Sequence, residues 1–148
     1  MHLRSSTGES ALTLRATETS TPYPSVRFRV TLRNHGFAGV CDGAWVELDQ
    51  LARFAAELRA CEQKRDGAAR LTAVSPAELS IVIERADVTG HFDLTYKVGS
   101  YGRTRRGPSF DSVSGVFDLD AEFFGEMAES AEAAVAWARA DLEKEGRR

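Results

Sequence analysis

Cysteine is scarce in this chain. Cys41 and Cys61 are the only two, whereas a secreted disulfide scaffold carries more, at closer spacing. Cys61 falls on a helical apolar position and reads as a small buried hydrophobe; two reduced thiols suit a cytosolic protein. Histidine is equally sparse. His2, His35 and His91 lie far apart and none stands in a ligand-spaced motif, so no metal or other cofactor is expected. No run approaches the roughly 20 apolar residues of a membrane span. Met1 to Ser10 lacks the apolar stretch of a signal peptide, and a cytoplasmic location follows as the expectation. An excess of one charge is missing too: the net charge of −3 is too small to imply nucleic-acid binding by bulk electrostatics.

What is present is an ordinary soluble composition, 43% hydrophobic and 28% charged over 148 residues. That length suits one domain and buries about two-thirds of the unfolded surface without a metal or disulfide staple. The expected organisation is a flexible, polar tail over residues 1–10 and a single domain over 11–148.

Residues 25–33 alternate without a break. Val26, Phe28, Val30 and Leu32 face a core, while Arg27, Arg29, Thr31 and Arg33 face outward. One-sided strands of this kind belong to antiparallel sheets with an open face. Ala11 to Glu18 alternates weakly and suits an edge strand; Thr19 to Pro24 is a loop closed by two prolines. Asn34-His35-Gly36 is a turn, followed by a strand over Ala38 to Glu47. A short strand over Ala69 to Val74 precedes a hairpin of Leu79–Glu84 and Phe92–Val98. Gly99 to Ser109 reads as a polar, arginine-rich loop, and Phe110 to Leu119 as the last strand.

Two helices interrupt the strands. Asp49 reads as an N-cap ahead of Leu51, Phe54, Leu58 and Cys61, which share one stripe of a helix ending near Lys64. Asp120 caps a second helix, with Leu119 and Phe124 as a hydrophobic staple. Its stripe runs through Met127, Ala131, Ala134, Ala138 and Leu142 to a basic end at Arg139, Lys144, Arg147 and Arg148. Both helices open on Leu-Asp. A duplicated strand–helix unit would explain this, although Asp is a favoured cap anywhere. The expected fold is α+β: an antiparallel sheet of about six strands with two helices packed on one face.

Chemistry is thin. His35, Cys41 and Asp42 lie across one expected hairpin, but a turn histidine and a packed cysteine explain them as well. Gly99-Ser100-Tyr101-Gly102 and Gly36-Phe37-Ala38-Gly39 lack the order of a phosphate loop. Arg103, Arg105 and Arg106 form the densest basic spot, and Arg27, Arg29 and Arg33 could join it. Their ordinary role is a solvated surface; as a binding feature they would meet an acidic partner. Glu122, Glu126 and Glu129 recur at i, i+4 and i+7, a wet helix face or a stripe that mimics phosphates before a basic cleft. These nine residues are the candidate partner-binding set.

Three stretches taken together are familiar: the Val26–Leu32 strand, the start Glu47-Leu48-Asp49-Gln50-Leu51-Ala52-Arg53-Phe54, and the Leu79–Ile83 and Gly90–Val98 hairpin. Over about residues 25–135 the chain resembles the WapI-type immunity proteins and their uncharacterised small actinobacterial relatives. The resemblance implies a non-catalytic protein that binds and neutralises the toxic domain of a polymorphic toxin in the cytoplasm. The Pro22/Pro24 entry and the arginine-rich 99–109 stretch depart from the pattern, and no family binding residue carries over by motif. The alternative is a small-ligand-binding or regulatory domain, with Trp45, Phe92, Tyr96 and Phe117 around a pocket. An enzyme using His35 or Cys41 ranks below both. Neither membrane nor nucleic acid is expected as a partner. A homodimer through the alanine-rich stretch Ala131 to Ala140 stays open.

Overall fold

A computed structural model describes residues 1–147. Its strands form two four-stranded antiparallel sheets, each a meander in sequence order. The first sheet holds β1 (His2–Arg4), β2 (Ser10–Ser20), β3 (Ser25–Asn34) and β4 (Phe37–Glu47). Helix α1 (Leu48–Lys64) then leads to the second sheet: β5 (Ala68–Thr72), β6 (Leu79–Arg85), β7 (Phe92–Thr104) and β8 (Gly107–Leu119). A 3-10 turn, Ala121–Phe123, opens α2 (Phe124–Gly146). The chain therefore builds one unit twice, a four-strand meander followed by a helix.

The α+β class stands, but the single sheet of about six strands does not: the strands divide into two sheets of four. Period-two alternation fixes which face each strand buries. It carries no information on which strands pair across a helix.

The inner faces of both sheets and the facing stripes of both helices make one hydrophobic cluster. Phe28 of β3, Phe54 of α1, Phe92 of β7 and Phe124 of α2 are all fully buried in it. Phe92 and Phe124 meet edge-on, with ring centroids 4.8 Å apart, a geometry aromatic quadrupoles favour. In α1 the expected stripe of Leu51, Phe54, Leu58 and Cys61 is buried, with Ala55 added. In α2 Met127, Ala131 and Ala138 are buried, joined by Ala128 and Val135. Arg148, expected at the basic end of α2, lies outside the described residues.

Several local expectations change. Residues 2–4 form a strand: Leu3 is fully buried and β1 pairs with β2 through Leu3 and Leu12. A three-residue strand has too little pattern to be seen, yet one buried leucine anchors it. β2 is consequently flanked on both sides over Ala11–Thr13 and is not an edge there. Asp49 is not the cap of α1. Glu47 holds that position, without a side-chain cap bond, because β4 runs straight into the helix and Leu48 N–H donates to Pro24 O at 2.9 Å. Asp49 lies in the first turn, where its charge still suits the helix dipole. Asp120 does cap: its carboxylate accepts from Glu122 N–H at 3.2 Å and starts the 3-10 turn.

The largest change is at 99–109. The expected loop is the outer half of the β7–β8 hairpin, paired without interruption down to Thr104 and Gly107. Gly99 is there because of space. A Cβ on it would strike the Phe110 ring and the Ala77 carbonyl. Replacing it with alanine should cost about 1–3 kcal/mol through this overpacking. Gly36→Ala should stay within about 0.5 kcal/mol, since nothing lies within 4 Å of a Cβ built there. Urea unfolding midpoints of the two variants check the contrast; equal stabilities would contradict the close packing at Gly99.

Candidate functional site

The alternation of β3 places Arg27, Arg29 and Arg33 on the outer face of the first sheet, and the register sets Arg15 opposite Arg29. These arginines are largely occupied. Arg27 reaches Glu18 at 3.2 Å and Arg29 reaches Asp42 at 3.5 Å. Arg33 donates to the Gly8 carbonyl at 3.0 Å. The Arg27 guanidinium lies over Gly43, the position in β4 where any Cβ would collide with it, and its Nε–H is buried without a partner.

Arg103, Arg105 and Arg106 stand at the far end of the β7–β8 hairpin, on the other sheet. Arg105 and Arg106 are the two residues of its turn. The Thr104 hydroxyl closes that turn, accepting from Arg106 N–H at 3.2 Å and donating to Gly107 O at 3.1 Å. Gly107 has a φ of +131°, which favours glycine. All three arginines are exposed, and among the described residues none forms an ion pair. One step inward, Tyr101 and Phe110 pair across the strands with centroids 4.7 Å apart. The two basic groups thus sit on different sheets, and no hydrogen bond or ion pair joins them among the described residues.

Glu122, Glu126 and Glu129 are exposed and, among the described residues, unpaired. Glu122 belongs to the 3-10 turn and the other two to α2. Further along, Glu132 differs: it accepts both Nε and Nη2 of Arg59 on α1, at 3.0 and 2.9 Å. That two-point bond ties the helices together and holds the Glu132 carboxyl below its ordinary range.

The register brings together an acidic row that sequence reading missed. Glu84, Asp93 and Asp118 stand directly opposite one another across β6, β7 and β8 on the outer face of the second sheet. Neighbouring strands are only about 4.8 Å apart, so the row costs stability through like-charge repulsion. Asp118 continues into an open cavity of about 470 Å³ that Asp120 and Glu122 also line. The positions are visible in the alternation, but their alignment needs the register of three strands. Asp118 also accepts a hydrogen bond from Ser6 of the turn after β1.

His91 shares this cavity. Its Nδ1 lies 2.6 Å from Asp87 Oδ2. The Thr89 hydroxyl, then the His91 ring, hold the Asp87 carboxyl well below the usual carboxylate range. The hydrogen bond to Asp87, reinforced by its charge, raises the His91 pKa.

The remaining candidates are dispersed. Cys41 faces the core and burial pushes its thiol up, whereas His35 is exposed, 3.9 Å from Glu9. Phe92, Tyr96 and Phe117 fill the core, and the Tyr96 hydroxyl accepts from Asn34 Nδ2 at 2.8 Å. Trp45 instead lines a separate open cavity of about 450 Å³ with Tyr23, Val74 and Glu78. Among the described residues no three His, Cys, Asp or Glu groups are placed to hold a metal ion, and no helix is long and apolar enough to cross a membrane.

The model of the WapI-like immunity protein family matches residues 2–138. The chain belongs to that family. The match takes in β1 and the whole of both sheets, beyond the 25–135 span of the sequence resemblance. No curated protein and no solved structure matches the chain. The charged outer surfaces of this WapI-like chain are therefore the features to weigh for function.

The His91–Asp87 pair yields a pH expectation. The folded pKa of His91 lies above its unfolded value of about 6.5. The contribution from His91 is therefore full below that pH and is lost as pH rises through the folded pKa. The depressed Asp87 pKa preserves the contribution above about pH 3.9 until acid titrates the folded carboxyl. NMR titration of the His91 ring should give a pKa above the ordinary value in the native chain and a return toward it in Asp87→Asn; identical titrations would contradict the pairing.

Proposed function

We propose that this chain is the immunity partner of a polymorphic toxin, a non-catalytic protein that binds the toxin domain in the cytoplasm and covers it. The family match over residues 2–138 carries this reading. The acidic band supports the manner of binding. Glu84, Asp93 and Asp118 repel one another across the ladder, and a basic partner surface would relieve that repulsion. Glu122, Glu126 and Glu129 extend the same sign onto the start of α2. A toxin domain that acts on nucleic acid would offer the complementary basic cleft.

The arginines have a secondary part in this reading. Arg103, Arg105 and Arg106 project from the hairpin tip without an ion-pair partner among the described residues, where they would meet acidic groups at the rim of the complex. Arg27, Arg29 and Arg33 are already engaged within the first sheet, so they contribute less.

Co-expression with a candidate toxin domain from a neighbouring gene tests the proposal. The native chain should restore growth and co-purify with that domain. Changing Glu122, Glu126 and Glu129 together to lysine should weaken binding about tenfold or more, mostly by slowing association, while circular dichroism stays native. A native chain that neither binds nor protects would refute the immunity reading. Full protection by the triple variant would move the contact away from α2.

A further inference from the structure

The cavity beside Trp45 is built from three anchored segments. The end of β4 supplies Trp45 and Glu47, the turn after β2 supplies Tyr23, and the segment between β5 and β6 supplies Val74 and Glu78. Backbone bonds fix these walls before any ligand arrives. Val74 N–H donates to Trp45 O at 2.7 Å, on the edge of β4 that no strand pairs with. Leu48 N–H donates to Pro24 O, and Gly99 N–H to Glu78 O at 3.0 Å. The space is about 450 Å³, within the range of a small-ligand site.

Its chemistry is one-sided. Tyr23 is 81% exposed and Val74 63%, an unusual cost for two large apolar groups around one opening. Neither the Trp45 indole N–H nor the carboxylates of Glu47 and Glu78 have a hydrogen-bond or ion-pair partner among the described residues. Burial raises the Glu78 pKa, the sign of a carboxylate short of solvation. No lysine, arginine or histidine lines the cavity.

We infer that this cavity binds an organic cation, an alkylammonium or guanidinium group, held against the Trp45 and Tyr23 rings and neutralised by Glu78 and Glu47. A positive group gains from the aromatic faces and the carboxylates together. An anion would meet two carboxylates. A neutral apolar ligand would leave Glu78 further desolvated without compensation. A calcium-like ion needs six to eight oxygen ligands, and this wall is mostly apolar. The inference does not depend on the immunity reading.

Tryptophan fluorescence tests it. Trp137, the only other tryptophan, lies exposed on α2, so a Trp137→Phe background makes Trp45 the sole reporter. N-acetylarginine amide and tetramethylammonium chloride should each change the Trp45 emission saturably, and N-acetylleucine amide should not. Glu78→Gln, and separately the exposed-site change Tyr23→Ala, should weaken the response about tenfold. Stronger response to the arginine amide assigns a guanidinium as the preferred group; stronger response to tetramethylammonium assigns a quaternary ammonium. Either result supports cation binding. A response that does not saturate, an equal response to the leucine amide, or unchanged affinity in both variants would overturn it.

Discussion

Both sheets and both helices close on one hydrophobic cluster, and that shared core sets what the molecule can do. Neither meander has enough apolar surface covered by its own helix alone: α1 follows the first sheet yet packs on β5, and α2 follows the second sheet yet reaches β1 and β2. The helices pack side by side between these contacts, tied by Arg59 and Glu132. The inner faces are thereby consumed. What remains for recognition is the outer face of each sheet, the hairpin tips and the exposed side of α2.

Those surfaces are not equivalent. On the first sheet Arg27, Arg29 and Arg33 are met by Glu18, Asp42 and a backbone carbonyl, so their charge serves the fold. On the second sheet three carboxylates are set in one row, and among the described residues none of them forms an ion pair. Like charges set opposite one another cost stability, and the proposed basic partner surface would offset that cost. At the opening lined by Trp45, the carboxylates of Glu47 and Glu78 have no ion-pair partner among the described residues.

Much of the local structure was readable from residues alone. The alternation of Val26, Phe28, Val30 and Leu32 and the stripe of Leu51, Phe54, Leu58 and Cys61 each identify an element and its buried face, because period and burial are the same information. The arginine-rich hairpin tip reads as a loop because Gly99, Ser100 and Gly102 look like loop residues, while the Tyr101–Phe110 contact beside them is visible only across strands. The division into two sheets and the Glu84–Asp93–Asp118 row were hidden for the same reason: register is a long-range property. The nine candidate binding residues are charged and lie on outward faces, but which of them are internally spent depends on side-chain partners no pattern reveals. Tyr23, Trp45 and Glu78 come from three separate segments and had no joint signal at all.

Native-state hydrogen exchange on the free protein tests the shared core most directly. Amides in the centres of β3, at Val26 to Leu32, and β6, at Leu79 to Ile83, should open with one common free energy equal to that of global unfolding. Separate free energies, with one sheet exchanging while the other stays protected, would contradict a single core and the account built on it.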